Sequence, residues 1–81
     1  MASRRTYHRY ELRAGNTVVY VGITDDTTRR EREHRADGKR FSNLRIVGPA
    51  VTEESARRWE SERLDQYQRN HGGESPKYNT S

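Results

Sequence analysis

The chain contains no cysteine, few hydrophobic residues and no long apolar run. Without cysteine it can form neither disulfide bonds nor zinc sites built on thiolates. No apolar run is long enough for a membrane-spanning helix, and the N-terminus lacks the hydrophobic region of a signal peptide. An intracellular location is therefore the default expectation.

Only 28% of the 81 residues are hydrophobic, whereas 35% are charged. A chain of this length forms one domain with a small core and modest stability. This composition leans towards disorder, but the few apolar residues are clustered and periodic. We therefore expect a single folded domain over residues 1–81, in which residues 1–6 and 80–81 are flexible.

The formal net charge is +4. A small basic domain is typical of proteins with a polyanionic partner, most often nucleic acid. Charge runs are also common on faces that are simply solvated, so the net charge alone does not decide between the two interpretations.

Alternating and β-branched residues predict a hairpin at the start of the chain. Residues 7–12 alternate aromatic and polar side chains, and residues 18–23 form an apolar, β-branched run. Residues 14–17, Ala-Gly-Asn-Thr, have turn chemistry and join the two strands.

A highly charged helix is predicted over residues 27–36, directly after the second strand. Residues 24–26 supply capping side chains, and Thr28 with Glu31 has the spacing of a capping box. Gly38 is a stop signal.

This helix has almost no apolar face, because Ala36 is its one plain hydrophobic residue. Core burial alone cannot hold it, so its exposed face has a function or it packs through side-chain stems. Arg30 and His34 are four residues apart and share one face beside the end of the strand. A guanidinium and an imidazole placed there suit a phosphate.

A third strand, a long helix and a docked tail are predicted in the second half. The strand lies within residues 41–48, and the helix runs from a Thr52 cap to Asn70. Pro76 makes the tail extended, and Tyr78 gives it an aromatic side chain with which to dock. The order β-β-α-β-α predicts an α+β domain with a three-stranded antiparallel sheet flanked by helices.

The second helix carries a carboxylate on its sheet-facing stripe, which consists of Ala56, Trp59, Leu64 and Tyr67. Glu60 falls within this stripe, where it costs stability unless it is paired, protonated or bound to a cation. One interpretation is an ion pair with Arg63 or with an arginine of the first helix, the usual fate of such groups. The other is a ligand for Mg²⁺, which needs only one or two protein carboxylates.

The remaining polar candidates carry little information one by one. Tyr10 and Tyr20 come from neighbouring strands, so their hydroxyls can converge, although most such residues are ordinary sheet aromatics. His34 alone is typical of a solvated helix, and Asn79 of a loop. The three histidines, His8, His34 and His71, do not have the spacing of a zinc site.

Four pieces of the sequence nevertheless occur in a familiar order. They are Tyr-Val-Gly at 20–22, the segment 23–34 with Arg30 and His34, Ala56 followed by Glu60, and Pro-Lys-Tyr-Asn at 76–79. In this order and spacing, the chain resembles the GIY-YIG nuclease domain of homing endonucleases, some restriction enzymes and excision-repair nucleases. The resemblance covers residues 7–79 and implies a metal-dependent endonuclease that cuts DNA.

The resemblance implies a role for each matching residue. It assigns Glu60 to one divalent cation, Mg²⁺ or Mn²⁺, and Arg30 to the scissile phosphate. Tyr10 accepts a proton from the attacking water, which requires nearby positive charge to lower its pKa. Tyr20 and His34 position water or phosphate.

Asn79 orients the same site from the tail, according to the resemblance. The nearby cations supply non-specific attraction to the nucleic-acid backbone; they are Arg29, Arg32, Arg35, Lys39 and Arg40.

The sequence departs from the family pattern in three ways. The GIY element reads His8-Arg9-Tyr10, Glu31 replaces a residue that is often apolar, and no separate DNA-recognition domain fits in the chain. Two alternatives therefore stay open: a nucleic-acid-binding module without catalysis, and a catalytic subunit that needs a recognition partner. RNA as the substrate and a homodimer also remain compatible with the sequence.

Overall fold

The computed structural model describes residues 4–79, which form a sheet with a helix on each face. The elements are β1 His8–Ala14, β2 Thr17–Thr24, α1 Thr27–Ala36, β3 Asn43–Ile46 and α2 Glu53–Asn70. The predicted α+β class and the order β-β-α-β-α are confirmed. The flexibility predicted for residues 1–3 and 80–81 lies outside the described residues.

The three strands form one antiparallel sheet in the order β2-β1-β3. The predicted hairpin is confirmed, although β1 runs two residues further than predicted because pairing continues up to the turn. β3 is shorter than the predicted segment 41–48, and Phe41 reaches the core from the loop before it.

The central strand β1 is buried on both sides, and each side has a different character. Tyr10 and Leu12 point to one face, where they form the core with Val19 and Phe41. We call this the α1 face because Tyr10 contacts His34 of α1. Glu11 points the other way, towards Arg63 of α2, and this side is the α2 face.

Helix α1 occupies the predicted residues but is capped differently. Asp26 is the N-cap and its carboxylate accepts a hydrogen bond from the backbone N–H of Arg29 at 3.0 Å. The predicted capping box of Thr28 and Glu31 is therefore wrong, because Thr28 already lies within the first turn. His34 is the one residue of this helix that is buried.

Helix α2 begins and ends as predicted, with Thr52 as the N-cap that accepts from the Ser55 N–H at 3.2 Å. Ala56 is its buried residue, whereas Trp59, Leu64 and Tyr67 are half-buried. None of the helices in residues 4–79 has the length and apolarity to cross a bilayer.

The tail docks as predicted and covers the outer edge of β2. It is not extended as predicted, because residues 76–79 form a turn in which the Asn79 N–H donates to the Pro76 carbonyl at 2.9 Å. Pro76 is fully buried, and the Tyr78 N–H donates to the carbonyl of Val19 at 2.8 Å. The Asn79 side chain then pairs with both backbone groups of Val21, accepting at 2.8 Å and donating at 3.0 Å. This contact fixes the middle of β2.

Candidate active site

Four of the predicted site residues meet on the α1 face. Tyr10 comes from β1, Tyr20 from β2, and Arg30 and His34 from α1. The Tyr10 hydroxyl and His34 Nε2 are 2.7 Å apart in a buried hydrogen bond. The ring of Tyr20 lies 4.6 Å from that of His34 and 6.0 Å from that of Tyr10, measured between centroids.

Gly22 allows the two tyrosines to approach each other and the backbone. It is paired with Tyr10 across the hairpin. A Cβ at this position would lie 2.6 Å from the Tyr20 ring and 2.7 Å from the Tyr10 hydroxyl. Such contacts are shorter than van der Waals separations, so a side chain there displaces the tyrosines.

His34 is a neutral imidazole at physiological pH. Burial lowers its pKa to about 4, and the positive charges of Arg30 and Lys39 act in the same direction. The ring carries one proton, and its Nδ1 is buried with no hydrogen-bond partner among residues 4–79. His34 is therefore able to accept a further proton at the Tyr10 side.

Tyr10 is a neutral phenol in this state. Burial raises its pKa above the ordinary value, and the neighbouring Tyr20 adds to this rise. The positive charge of Arg30 lowers the pKa of Tyr10, as expected, but the effect of burial is larger. The structure therefore differs from the expectation that positive charge gives Tyr10 a lowered pKa.

Arg30 lies at the open side of this cluster. Its guanidinium forms an ion pair with Glu33 at 3.1 Å, and about a third of its side chain is exposed. It interacts with the hydroxyls of both Tyr10 and Tyr20. A guanidinium so placed has free donors for an anion that enters from solvent.

Asn79 lies next to the cluster without contributing a group to it. Its amide holds Val21, which lies between Tyr20 and Gly22. It therefore orients β2 at the point where the two tyrosines pack, in keeping with the predicted supporting role.

Glu60 lies outside this group of contacting residues. It is half-buried on the α2 stripe, and α2 packs on the face opposite Tyr10. Its predicted partner Arg63 is bound to Glu11 instead, at 2.9 Å. Within residues 4–79, the Glu60 carboxylate has no hydrogen bond or ion pair. Burial raises its pKa, an effect that the charge of Arg57 partly offsets.

The carboxylate of Glu60 fits a hard divalent cation in its donor chemistry. No group of three or more metal-ligating side chains occurs in the described part of the chain. Mg²⁺ does not need one, because water and phosphate oxygens complete its coordination. A half-buried carboxylate that forms no ion pair within the described residues, with Arg57 acting on it only at longer range, is a suitable anchor for such an ion.

The cations predicted to attract nucleic acid differ in whether an ion pair already occupies them. Arg29 is paired with Asp25 at 3.1 Å and Arg35 with Glu31 at 3.2 Å. Lys39 lies 5.7 Å from the Tyr20 ring centroid and 3.5 Å from Asp37. The side chains of the other two, Arg32 and Arg40, form no ion pair within the described residues.

Sequence reasoning missed two features of the site. Gly22 belongs to the Tyr-Val-Gly motif, but the close approach that it allows between Tyr10 and Tyr20 depends on the strand register, which the sequence does not give. The position of Lys39 beside Tyr20 follows from the loop after α1, and no spacing in the sequence indicated it.

One curated protein shows similarity to part of the chain. A UPF0213 protein of Serratia proteamaculans (strain 568) is 46% identical over 46 residues, which are 57% of this chain and 44% of that protein. The match therefore spans less than half the length of the relative, whose name states no activity. No family model matches the chain, and no solved structure matches it significantly.

Proposed function

We propose that the chain is a divalent-cation-dependent endonuclease of GIY-YIG type that hydrolyses DNA phosphodiester bonds. The observation that carries this proposal is the buried hydrogen bond between Tyr10 and His34 beside Arg30. A structural role alone does not require a phenol, an imidazole and a guanidinium to converge at one partly open site.

The proposed mechanism begins with the phosphate on Arg30. The guanidinium binds the scissile group and stabilises the charge that develops at phosphorus. The entering anion favours protonation of His34, which opposes the effect of Arg30 and Lys39 on its pKa. His34 Nε2 then takes the proton of Tyr10, and Tyr10 takes one from the attacking water. The water oxygen forms a bond to phosphorus as the bond between phosphorus and the leaving sugar oxygen breaks, and solvent protonates that oxygen.

In this proposal Glu60 would hold the divalent cation, Mg²⁺ or Mn²⁺, and the cation would supply Lewis-acid stabilisation to the phosphodiester. Tyr20 orients the imidazole through its ring contact. Asn79 supports the site through β2.

Nicking of supercoiled plasmid, with Mg²⁺ or with EDTA, tests the chemistry. Tyr10→Phe keeps the packed ring but removes the hydroxyl, so we expect cutting to fall by roughly 10²–10⁴-fold, the usual range for a general acid–base group. Tyr67→Phe is the matched control on α2 and should cut normally. Full activity in folded Tyr10→Phe would exclude this mechanism.

The metal assignment has its own test. Mn²⁺ binding to the folded protein, followed by water-proton relaxation, should be lost in Glu60→Gln and kept in Glu62→Gln, whose side chain is exposed. Unchanged Mn²⁺ binding in Glu60→Gln would mean that the cation is held elsewhere.

The raised pKa of Tyr10 favours a second candidate, a nucleic-acid-binding module without catalysis. Salt-sensitive DNA or RNA binding without any cutting would select this candidate. Cutting only after dimerisation or addition of a recognition partner would identify the chain as a catalytic subunit.

A further inference from the structure

The sheet carries a row of arginines on the face opposite Tyr10. Strand alternation places Arg9, Glu11 and Arg13 of β1 on the α2 face. Arg45 of β3 is paired with Glu11 in the register and lies on the same face. We call Arg9, Arg13 and Arg45 the arginine face.

Helix α2 leaves part of this face uncovered. It packs on β2 and β1, where Val21 and Ala56 are fully buried. Arg45 of β3 is exposed, whereas Arg9 and Arg13 of the central strand β1 are half-buried. Arg45 therefore lies on a part of this face that α2 leaves open to solvent.

The three arginines of the arginine face form no ion pair within residues 4–79. Glu11 is the one carboxylate in the three strands, and Arg63 occupies it at 2.9 Å. Arg9 donates to the carbonyl of Pro49 at 3.2 Å, while Arg13 and Arg45 have no ion pair. The buried Nε atoms of Arg9 and Arg13 have no hydrogen-bond partner there.

The helices show the opposite pattern. Their arginines are mostly paired with a carboxylate three or four residues away, as in Arg57–Glu53, Arg58–Glu54 and Arg69–Asp65. Local pairing therefore neutralises much of the helical charge, whereas the sheet arginines retain theirs.

We propose that the arginine face binds the phosphate backbone of nucleic acid, as a contact surface separate from the Tyr10 site. The inference uses the substrate class of the proposed function but not its chemistry. Arg9 and Arg13 are four residues apart, or about 13 Å along the strand. That distance covers about four steps of a duplex, since phosphates advance about 3.4 Å per step on each strand.

A nucleic acid fits this surface better than an acidic protein does. Protein interfaces have an apolar or aromatic centre. The one exposed large hydrophobic residue among residues 4–79 is Ile46, and its pairing with Tyr10 places it on the α1 face. The arginine face offers forked donors that match phosphate oxygens, without such an apolar centre.

The test is binding of a fluorescent 20-base-pair duplex, measured by anisotropy over a series of salt concentrations with EDTA present to prevent cutting. Arg13→Gln/Arg45→Gln is compared with Arg57→Gln/Arg58→Gln, which removes the same charge from the exposed side of α2. The slope of log K against log[salt] is negative, and each lost phosphate contact reduces its magnitude by about 0.9. We expect the magnitude to fall by about 1.8 in the first variant and to change little in the second.

Arg45→Gln alone guards against a folding defect, because Arg45 is exposed; the magnitude of its slope should fall by about 0.9. Equal slopes in the wild type and both arginine-face variants would overturn the proposal. So would equal losses in the control, or equally tight binding of polyglutamate that depends on Arg13 and Arg45.

This experiment fails independently of the proposed nuclease. A reduced slope in a protein that never nicks plasmid would retain the arginine face and reject the enzyme. Normal nicking by the wild type, together with an unchanged slope in the arginine-face variants, would retain the enzyme and reject the arginine face.

Discussion

Tyr10 and Glu11 are neighbours in β1, and both are buried, but the two faces of the sheet accommodate their polar groups in different ways. On the α1 face, the Tyr10 hydroxyl meets the neutral imidazole of His34. On the α2 face, the Glu11 carboxylate meets the charged guanidinium of Arg63. One strand therefore buries one polar pair without net charges and one as an ion pair.

The difference separates a group that can react from a group that holds the fold. Burial keeps this pair neutral, because it raises the pKa of Tyr10 and lowers the pKa of His34. An anion that enters beside the pair acts against the shift at His34 and so favours its protonation. The ion pair gains its stability by remaining charged, and removal of one partner leaves an uncompensated buried charge.

The first predicted effect is on stability and concerns the α2 face, where Glu11 and Arg63 form the ion pair. Arg63→Ala leaves Glu11 buried without its partner, and we expect the free energy of unfolding to fall by about 3 kcal/mol. Arg69→Ala breaks an exposed pair with Asp65 and should cost about 0.5 kcal/mol or less. Urea unfolding of both variants measures the contrast, and similar losses would remove the distinction between the two faces.

The next predicted effect is on the activity of the proposed nuclease and concerns the α1 face, where Tyr10 and His34 form the neutral pair. Gly22→Ala places a methyl group against both tyrosines, so cutting should fall by roughly 10–100-fold, the scale of a displacement of about 1 Å at a reactive site. Gly15→Ala is the control, because it strains the backbone at a φ of +63° but meets no atom within 4 Å. It should lose stability and keep its cutting rate per folded molecule.

The last prediction is a pH dependence of stability from His34. Its pKa is about 4 in the folded protein and about 6.5 when unfolded, so between these values the unfolded chain binds the extra proton. The free energy of unfolding should therefore fall as the pH decreases from about 6.5 to about 4.

Urea unfolding at a series of pH values tests this dependence. His71→Gln should retain it and His34→Gln should weaken it. An unchanged profile in folded His34→Gln would assign the dependence to other groups.

The local chemistry of the sequence predicted most of the fold. Thr52, Gly38 and the turn at 14–17 depend on neighbouring residues only, and the structure confirms them. The capping box failed because Thr28 and Asp26 offer competing caps within three residues, and the choice between them depends on where β2 ends.

Tyr10, Tyr20, Arg30 and His34 lie together in the structure, whereas Glu60, which the sequence assigned to the same site, lies outside their cluster. Their roles stay predictions, and the electrostatics of the cluster did not follow from the sequence. The ion pair between Glu60 and Arg63, which the sequence offered as one interpretation, does not form, because Arg63 binds Glu11 instead. Glu11 lies 52 residues away in the sequence, and only the fold brings it near. The net rise of the Tyr10 pKa depends on burial, which the sequence does not quantify.

Asn79 has a further consequence for how the molecule meets other chains. A strand edge with free N–H and C=O groups is a template for intermolecular β-pairing and aggregation. At Val21 a single side-chain amide occupies both of these groups, as an adjacent strand would. The same amide that orients the tyrosines therefore also protects the edge of β2 from intermolecular pairing. Asn79→Ala should leave the backbone groups of Val21 free to pair with another chain, and so promote aggregation at high concentration.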